Sequence, residues 1–258
     1  MRGILRMIPA SYGVATPLTD AWIVATGESD VTKLNAYRNW EQYIIVNNIR
    51  SKYKHVKILC AGNSTKASLN FIDTTTQSSI NYGGLTFTDS GVVGNGSTGY
   101  IDSGMPQNSL LPNNAHQGMY CRTNDLTGVK TMFSQRDIGG CFMHTDGTTM
   151  VTSVNNNSPD HNYNLTTISD SLGLHTANRT GNTNDEYWKR GSKLNAGTFN
   201  GGNTTNSNTT KLFNFIGYNR WDTRQFTFYT AGDSFNTAEM SFHYAGIQQL
   251  MTDLSLQV

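Results

Sequence analysis

Glutamate occurs four times in 258 residues, as Glu28, Glu41, Glu186 and Glu239, and this scarcity bounds the fold more tightly than any other feature. Long exposed helices keep their wet faces hydrated largely with Glu and Lys, so a chain this poor in Glu cannot carry many of them. Where charge is missing, the chain has 33 Thr, 28 Asn and 25 Gly. Threonine suits a pleated surface, and Asn and Gly suit turns. The composition predicts a β protein with a neutral, polar exterior, and the 10% aromatic content supplies bulk for a core. A unit of this length can bury that core without a disulfide or metal staple.

Charge is balanced, at 19 Lys+Arg against 18 Asp+Glu. That excludes a basic nucleic-acid surface or a polybasic membrane patch. No apolar run approaches the ~20 residues of a membrane-spanning helix, and the Met1–Arg6 start is too short an apolar stretch for a secretory signal. The three cysteines, Cys60, Cys121 and Cys141, are odd in number and lack C-x-x-C spacing. They are read as small buried hydrophobes, which fits assembly in a reducing cytoplasm.

Along the chain, residues 1–20 read as an extended arm. Ser29 or Asp30 then offers an N-cap, and apolar residues at Leu34, Tyr37, Trp40, Ile44, Ile45 and Ile49 predict an amphipathic helix over residues 30–52. From Val56 onward, short β-rich runs alternate with turn signals. The runs are Val56–Cys60, Leu69–Ile72, Gly84–Phe87, Gly99–Ile101, Gly118–Arg122, Val129–Ser134, Cys141–His144, Thr149–Val154, Leu172–Thr176, Tyr187–Lys189, Lys211–Tyr218 and Gln225–Ala231. Alternation places Phe213 with Phe215 on one face, and Phe226 with Phe228 on one face opposite Thr227. Residues 155–164 and the low-complexity tract Asn195–Thr210 read as polar loops, the latter with a weak edge hairpin as its other reading. Asn236 and Glu239 form a capping box that opens a closing helix over residues 237–253. The expectation is a mainly β jelly-roll sandwich, with an arm and helix (residues 1–54) ahead of the sandwich and its C-terminal helix (residues 55–258).

Several strings carry a family resemblance. Phe226-Thr-Phe-Tyr-Thr-Ala-Gly-Asp-Ser-Phe-Asn-Thr-Ala-Glu239, followed by Tyr244, Ile247, Gln248 and Gln257-Val258, resembles the end of concanavalin A-like (laminin G-like) domains of tailed-phage virion proteins. Gly94–Asp102, Tyr120-Cys-Arg-Thr-Asn124, Asn178-Arg-Thr180 and Phe215-Ile-Gly-Tyr-Asn219 are similar to strings that precede it in that family, in the same order. Ser255-Leu256 departs from the family's Gly-Arg before Gln-Val. The resemblance implies a concanavalin A-like sandwich in a virion setting, and by itself no activity.

Signals for catalysis are sparse. Glycosidases on such sandwiches pair acids on one strand face, whereas Asp185 and Glu186 are adjacent and point apart. Of His55, His116, His144, His161, His175 and His243, none pairs at metal-ligand spacing. His144 near Asp146 reads as a turn-exposed side chain. No catalytic residue, metal site or cofactor is expected. A calcium loop at Asn157-Ser-Pro-Asp160 is a poor match. For ligand contact, Trp188 in Asp185-Glu-Tyr187-Trp-Lys-Arg190 is the leading stacking platform, with Tyr187 beside it and Trp221-Asp222 second.

The leading expectation is therefore a non-enzymatic virion structural protein, a capsid decoration or head fibre assembled in the host cytoplasm. It would contact other virion proteins through the arm and first helix, and symmetry favours a homo-oligomer. The alternative is a carbohydrate-binding adhesin or tail-fibre module that attaches to host surface glycans.

Overall fold

The computed structural model describes residues 15–75, 80–134, 141–154, 164–181, 183–197, 209–215 and 220–258. Residues 1–14 of the expected arm, loop residues 155–163 with the Asn157–Asp160 string, and most of the Asn195–Thr210 tract lie outside them.

The described chain begins with helices α1 (Pro17–Thr26) and α2 (Val31–Val46), then strand β1 (Tyr53–Ile58) and a short helix α3 (Ser64–Ser68). Strands β2 (Ile80–Tyr82), β3 (Thr86–Thr88), β4 (Gly91–Val93), β5 (Tyr100–Pro106), β6 (Ala115–Cys121), β7 (Val129–Ser134), β8 (Phe142–Asp146) and β9 (Thr149–Ser153) follow. Next come β10 (Asn164–Thr167), β11 (Gly173–Gly181), β12 (Asn184–Lys189), β13 (Ser192–Gly197), β14 (Thr209–Leu212), β15 (Asn214–Phe215), β16 (Arg220–Trp221) and β17 (Gln225–Gly232). Helix α4 (Thr237–Asp253) completes the order.

Strands β1–β14 and β17 form two antiparallel sheets, and β15 pairs with β16 as a separate ribbon. One runs β13-β12-β11-β6-β17-β4-β3, with β1 also paired to β17, and the other runs β10-β9-β8-β7-β14-β5-β2. Neighbours such as β6–β17 and β7–β14 are distant in sequence, as in a jelly roll. The sheets pack over a core that includes Met119, Met132, Phe133, Met143, Leu212, Phe213 and Phe226. A second core lies on the other face of the β17-containing sheet, where Trp22, Tyr37, Trp40, Ile247, Leu250 and Met251 of the helices meet Tyr53, Val56, Tyr120 and Phe228. Among the described residues, the helices α1, α2 and α4 therefore cover one sheet only.

Strand β17 joins the two cores. Its register shifts between Phe226 and Phe228, at the point where β4 stops pairing and β1 takes over. The extra residue at this bulge reverses the alternation. Phe226 enters the inter-sheet core, while Phe228 and Thr227 face the helices, with the Thr227 hydroxyl 3.3 Å from the Met251 sulfur. The expectation that Phe226 and Phe228 share a face is thus corrected.

Other boundaries move for identifiable reasons. Residues 17–20 belong to α1 and not to an extended arm. Pro17 starts that helix, and Thr16 supplies no side-chain cap. The cap comes instead from the buried Glu41 of α2, which accepts from the amides of Leu18 (2.9 Å) and Thr19 (2.8 Å) and from the Thr19 hydroxyl (2.8 Å). Helix α2 begins at the expected Asp30 cap but ends at Val46, because Asn48 adopts a left-handed conformation with φ 55°. Residues Leu69–Ile72 do not form a strand. They follow α3 along the edge of β1, held by the Asn70 side chain, which accepts from Val56 N and donates to Lys54 O, and by a Phe71 N to Val56 O bond. The run Lys211–Tyr218 breaks at Phe213, whose φ of 70° ends the alternation assumed there. Strands β2, β4, β10, β13 and β16 were not read from the pattern, being short or lacking an apolar face. The three cysteines are free and buried, and the Asn236/Glu239 capping box opens α4 as expected.

Two substitutions test these energetics. Glu41→Ala leaves buried helix amides without an acceptor and is expected to lower unfolding free energy by about 3 kcal/mol in urea titrations. Lys57 is fully buried, its ammonium 2.5 Å from Ser68 O, and burial pushes its pKa down to about 7. Its folded value lies below its unfolded one, so stability is lowest beneath pH 7 and rises as pH climbs from 7 past 10. Lys57→Met is expected to stabilise at pH 7 by about 1–4 kcal/mol and to flatten that rise, read from thermal unfolding across pH.

Candidate functional site: the open face of the second sheet

The face left free of helices is built by strand alternation. In β5, Ile101, Ser103 and Met105 are buried, so Tyr100 and Asp102 point outward. Lys211 of β14 is the cross-strand partner of Asp102, and Ser134 of β7 continues the row to Phe142 of β8. Onto this face the chain folds the β15–β16 ribbon. The left-handed turn at Phe213 lifts the chain out of β14, while the Phe213 ring stays buried 5.0 Å from Phe226. Such a backbone conformation costs about 1–3 kcal/mol in a non-glycine residue, which burial of the ring offsets.

The ribbon is anchored from below by Asp222. Its carboxylate is fully buried against Arg224, accepting from Nε at 2.9 Å, from Nη2 at 2.5 Å and from the Arg224 amide at 2.8 Å. Arg224 also donates to Lys130 O at 3.2 Å. Gly94 lies so close that a Cβ there would meet Asp222 O at 2.0 Å, so only glycine fits. The backbone of Asp222 bonds Phe213 O and accepts from Gly96 N.

Above this anchor the half-buried Trp221 ring sits 6.3 Å from Tyr100, tilted by 43°. Lys211 reaches over the Tyr100 ring at 5.9 Å, pairs with Asp102 and donates to the Thr209 hydroxyl at 2.8 Å. Burial holds its pKa below the ordinary lysine value. On the other flank, Arg220 lies 3.4 Å from His144 Nε2, and His144 stacks on Phe142 at 5.6 Å. Burial, reinforced by Arg220 and Arg224, pushes His144 down to about 4, so it is neutral at physiological pH. His144 is 6% exposed, which corrects its reading as a turn-exposed side chain. At the rim, Asp125 accepts from Thr127 and pairs with Lys130 at 2.9 Å. Burial opposes its ionisation, but these bonds hold its carboxyl well below the usual range.

Of the residues singled out in the sequence, Trp221 is the one with an accessible ring on this face, and Asp222 is its buried support. Tyr187 and Trp188 lie elsewhere. Tyr187 is buried between the sheets, its hydroxyl 2.7 Å from His175 Nδ1. Trp188 faces the helices at 5% exposure, its indole donating to Glu186 at 2.8 Å and Lys193 covering its ring at 5.6 Å. Neither presents a free ring face for stacking. Asp185 and Glu186 do point apart. Asp185 is buried between the sheets near Arg179, raised to about 7 by burial against the pull of the Val154 amide and Arg179. Glu186 faces the helix side; burial would raise it, but bonds from Trp188, Asn178 and Lys193 hold it below the usual value. The sequence reading missed Tyr100, Asp102, Lys211, Arg220 and Phe142. The alternation in Tyr100-x-Asp102 could have placed the first two, but nothing local pairs them with Lys211 or Trp221. Among the described residues no group of three His, Cys, Asp or Glu is placed to hold a metal, and no helix is long and apolar enough to cross a membrane.

No known protein-family profile matches the chain, and no curated protein matches it in sequence. Its fold is similar to botulinum neurotoxin receptor-binding domains. The binding domain of botulinum neurotoxin DC, solved in complex with rat synaptotagmin II, superposes with a TM-score of 0.61 at 8% identity, over 78% of this chain and 52% of that one. The serotype D binding domain gives 0.57 at 8% identity, over 78% and 53%. The serotype D ligand-binding domain, solved with N-acetylneuraminic acid, gives 0.56 at 10% identity, over 78% and 52%. The chain spans about half the length of each of these domains. At such identities the likeness is one of fold: a sandwich of two antiparallel sheets.

The anchor makes a stability prediction. Arg224→Met strips the buried Asp222 carboxylate of its cation and is expected to cost about 3–5 kcal/mol, read as a shift in the urea unfolding midpoint.

Proposed function

We propose that this chain is a non-enzymatic binding module that attaches to surface glycans through the open face around Tyr100 and Trp221. The observation that carries this reading is the pair of tilted, partly exposed rings bordered by Lys211–Asp102 on one side and Arg220–His144 on the other. Sugars present apolar C–H faces and a rim of hydroxyls. Aromatic rings stack against the former, while paired charges supply fixed donors and acceptors to the latter. The neutral overall charge suits such a ligand better than a polyanion. Similarity of fold to receptor-binding domains, one of them solved with a sialic acid, supports a binding role.

The setting we propose is the surface of a tailed-phage particle, with the host cell surface as target. It rests on the ordered strings from Gly94–Asp102 to Gln257-Val258. A purely structural decoration or head fibre, holding only other virion proteins, is the competing role in the same setting.

A glycan array followed by titration calorimetry separates the two. The expected result is binding to a subset of glycans that weakens about thirtyfold on Trp221→Ala or Tyr100→Ala, the effect of losing an aromatic worth about 2 kcal/mol. Phe242→Ser, on the exposed side of α4, is expected to leave binding unchanged. Absence of any glycan signal at millimolar ligand, or equal loss in all three variants, would overturn the reading.

A further inference from the structure

Helix α4 is held to the sheet by more than apolar packing. At its N-terminal half, His243 meets His116 of β6, with ring centroids 5.5 Å apart, and both side chains are fully buried. The Phe235 ring is wedged against both, 4.4 Å from His116 and 4.5 Å from His243. Phe235 is in turn fixed by Asn178 of β11, which donates to its carbonyl and accepts from its amide, both at 2.9 Å. Tyr53 of β1 closes the group, its hydroxyl 2.8 Å from His243 Nδ1.

The hydrogen bonds define the protonation state. His116 Nδ1 lies 2.6 Å from Asp233 O, and a carbonyl only accepts, so that nitrogen carries the hydrogen. His116 Nε2 is then a bare lone pair, with no partner among the described residues. A proton added there would be a buried N–H without an acceptor, on a cation about one ring width from a second imidazole. His243 has hydroxyls at both nitrogens, Tyr53 and, at 3.5 Å, Thr176.

Of the charged groups around the pair, Asp233 favours a charged His116, while Lys52 and Lys54 oppose it. From β1 and its approach come Lys52 and Lys54. The turn after β17 contributes Asp233, whose carboxylate is taken by Lys54 at 2.7 Å, and α4 contributes Glu239, taken by Lys52 at 3.3 Å. On β12, Glu186 is bonded to Asn178 and paired with Lys193 at 3.1 Å. From α2 comes the neutral Tyr43. Among the described residues neither imidazole meets a carboxylate oxygen.

We propose that His116, Phe235 and His243 form an acid-labile joint that releases α4 from the sheet in mildly acidic solution while the sandwich stays folded. An imidazole freed into water titrates near 6.5. The docked ones resist protonation, burial pushing His116 down to about 4 and His243 well below its ordinary value. Docking is therefore undisturbed above pH 6.5 and weakens as pH falls from 6.5 towards 4. Each histidine lowers the docked-to-released ratio by up to ~tenfold per pH unit, ~hundredfold for the two together. Release uncovers the apolar helix-facing side of β6 and β17, but leaves the separate inter-sheet core intact. The other depressed histidines lie within or against the sandwich. His175, for one, has both nitrogens bonded, to Tyr187 and Ser171. Exposing His175 requires the sheets to part, a larger opening than undocking one helix, and His144 sits on the open face of the second sheet, away from α4.

Amide hydrogen exchange on the full chain from pH 7.5 to 4.5, corrected for intrinsic exchange, tests this. The expected result is loss of protection across residues 237–253 with a slope approaching a hundredfold per pH unit, while β7–β9 stay protected. His243→Gln is expected to cut that slope to about tenfold. In case that variant does not fold, histidine side-chain spectra of the unmodified chain provide the second readout. There the His116 and His243 signals should keep their neutral positions until they disappear together with those of α4. Simultaneous loss of protection in α4 and β7–β9 would overturn the proposal. Titration of either histidine near 6.5 with α4 still protected would do the same.

Discussion

The architecture depends on how β17 is paired. It hydrogen-bonds to β6 along most of its length on one side, and shares the other side between β4 and β1. Because the handover from β4 to β1 coincides with the bulge at Thr227, one strand serves two cores, sending Phe226 and Tyr229 between the sheets and Phe228 to the helices. Phe228 lies 5.2 Å from Trp40, which also contacts Tyr53 and Phe71 at 5.6 and 5.5 Å. The bulge thus fixes where α2 docks. Such edge-on aromatic contacts add about 0.5–1.5 kcal/mol apiece beyond their burial, so this cluster specifies an orientation as well as supplying bulk.

Much of this is legible in the chain, and the limits have physical causes. Helix α4 shows in the sequence because its start is encoded within four residues, Asn236 to Glu239, and its buried stripe keeps one period. The β-rich character follows from composition. What escapes is whatever one segment supplies to another. The start of α1 depends on Glu41, more than twenty residues away, so no local window reveals the cap. A bulge is a mismatch between two strands, and Thr227 looks ordinary until the register with β6 is known. Residues Leu69–Ile72 have strand-like composition, yet the edge of β1 is met by the Asn70 side chain, which stands in for a ladder. At the open face, Trp221 is visible as an aromatic beside an acid, but Tyr100 is 121 positions earlier and is brought in by the sheet order. Trp188 shows the reverse: its polar neighbours suggest exposure, whereas Glu186 and Lys193 are the groups that satisfy and cover a buried indole.

The two sides of the molecule are built on different principles. Beneath the helices, contacts are dominated by aromatic rings and neutral imidazoles, with ion pairs such as Lys54–Asp233 at the edge. On the open face, each cation has a polar partner: Lys211 with Asp102, Arg220 beside His144, Lys130 with Asp125. The first and third are ion pairs and the second sets a cation beside a neutral imidazole, contacts that add little net stability where water reaches them. They do hold long side chains in place, so their remaining hydrogen-bonding capacity points in set directions before any ligand arrives.

That arrangement bears on how a ligand can be recognised. With charges balanced across the chain and paired locally, the long-range field is weak, and electrostatic steering contributes little to encounter. For the proposed glycan, affinity would have to come from short-range terms, namely ring stacking and hydrogen bonds to groups already held in position. Such terms are small for one contact and grow with repetition, which favours ligands and assemblies that present many copies at once. A neutral aromatic face on a module shown repeatedly at a surface would gain its strength from valency, and a single site need not bind tightly for the whole to hold.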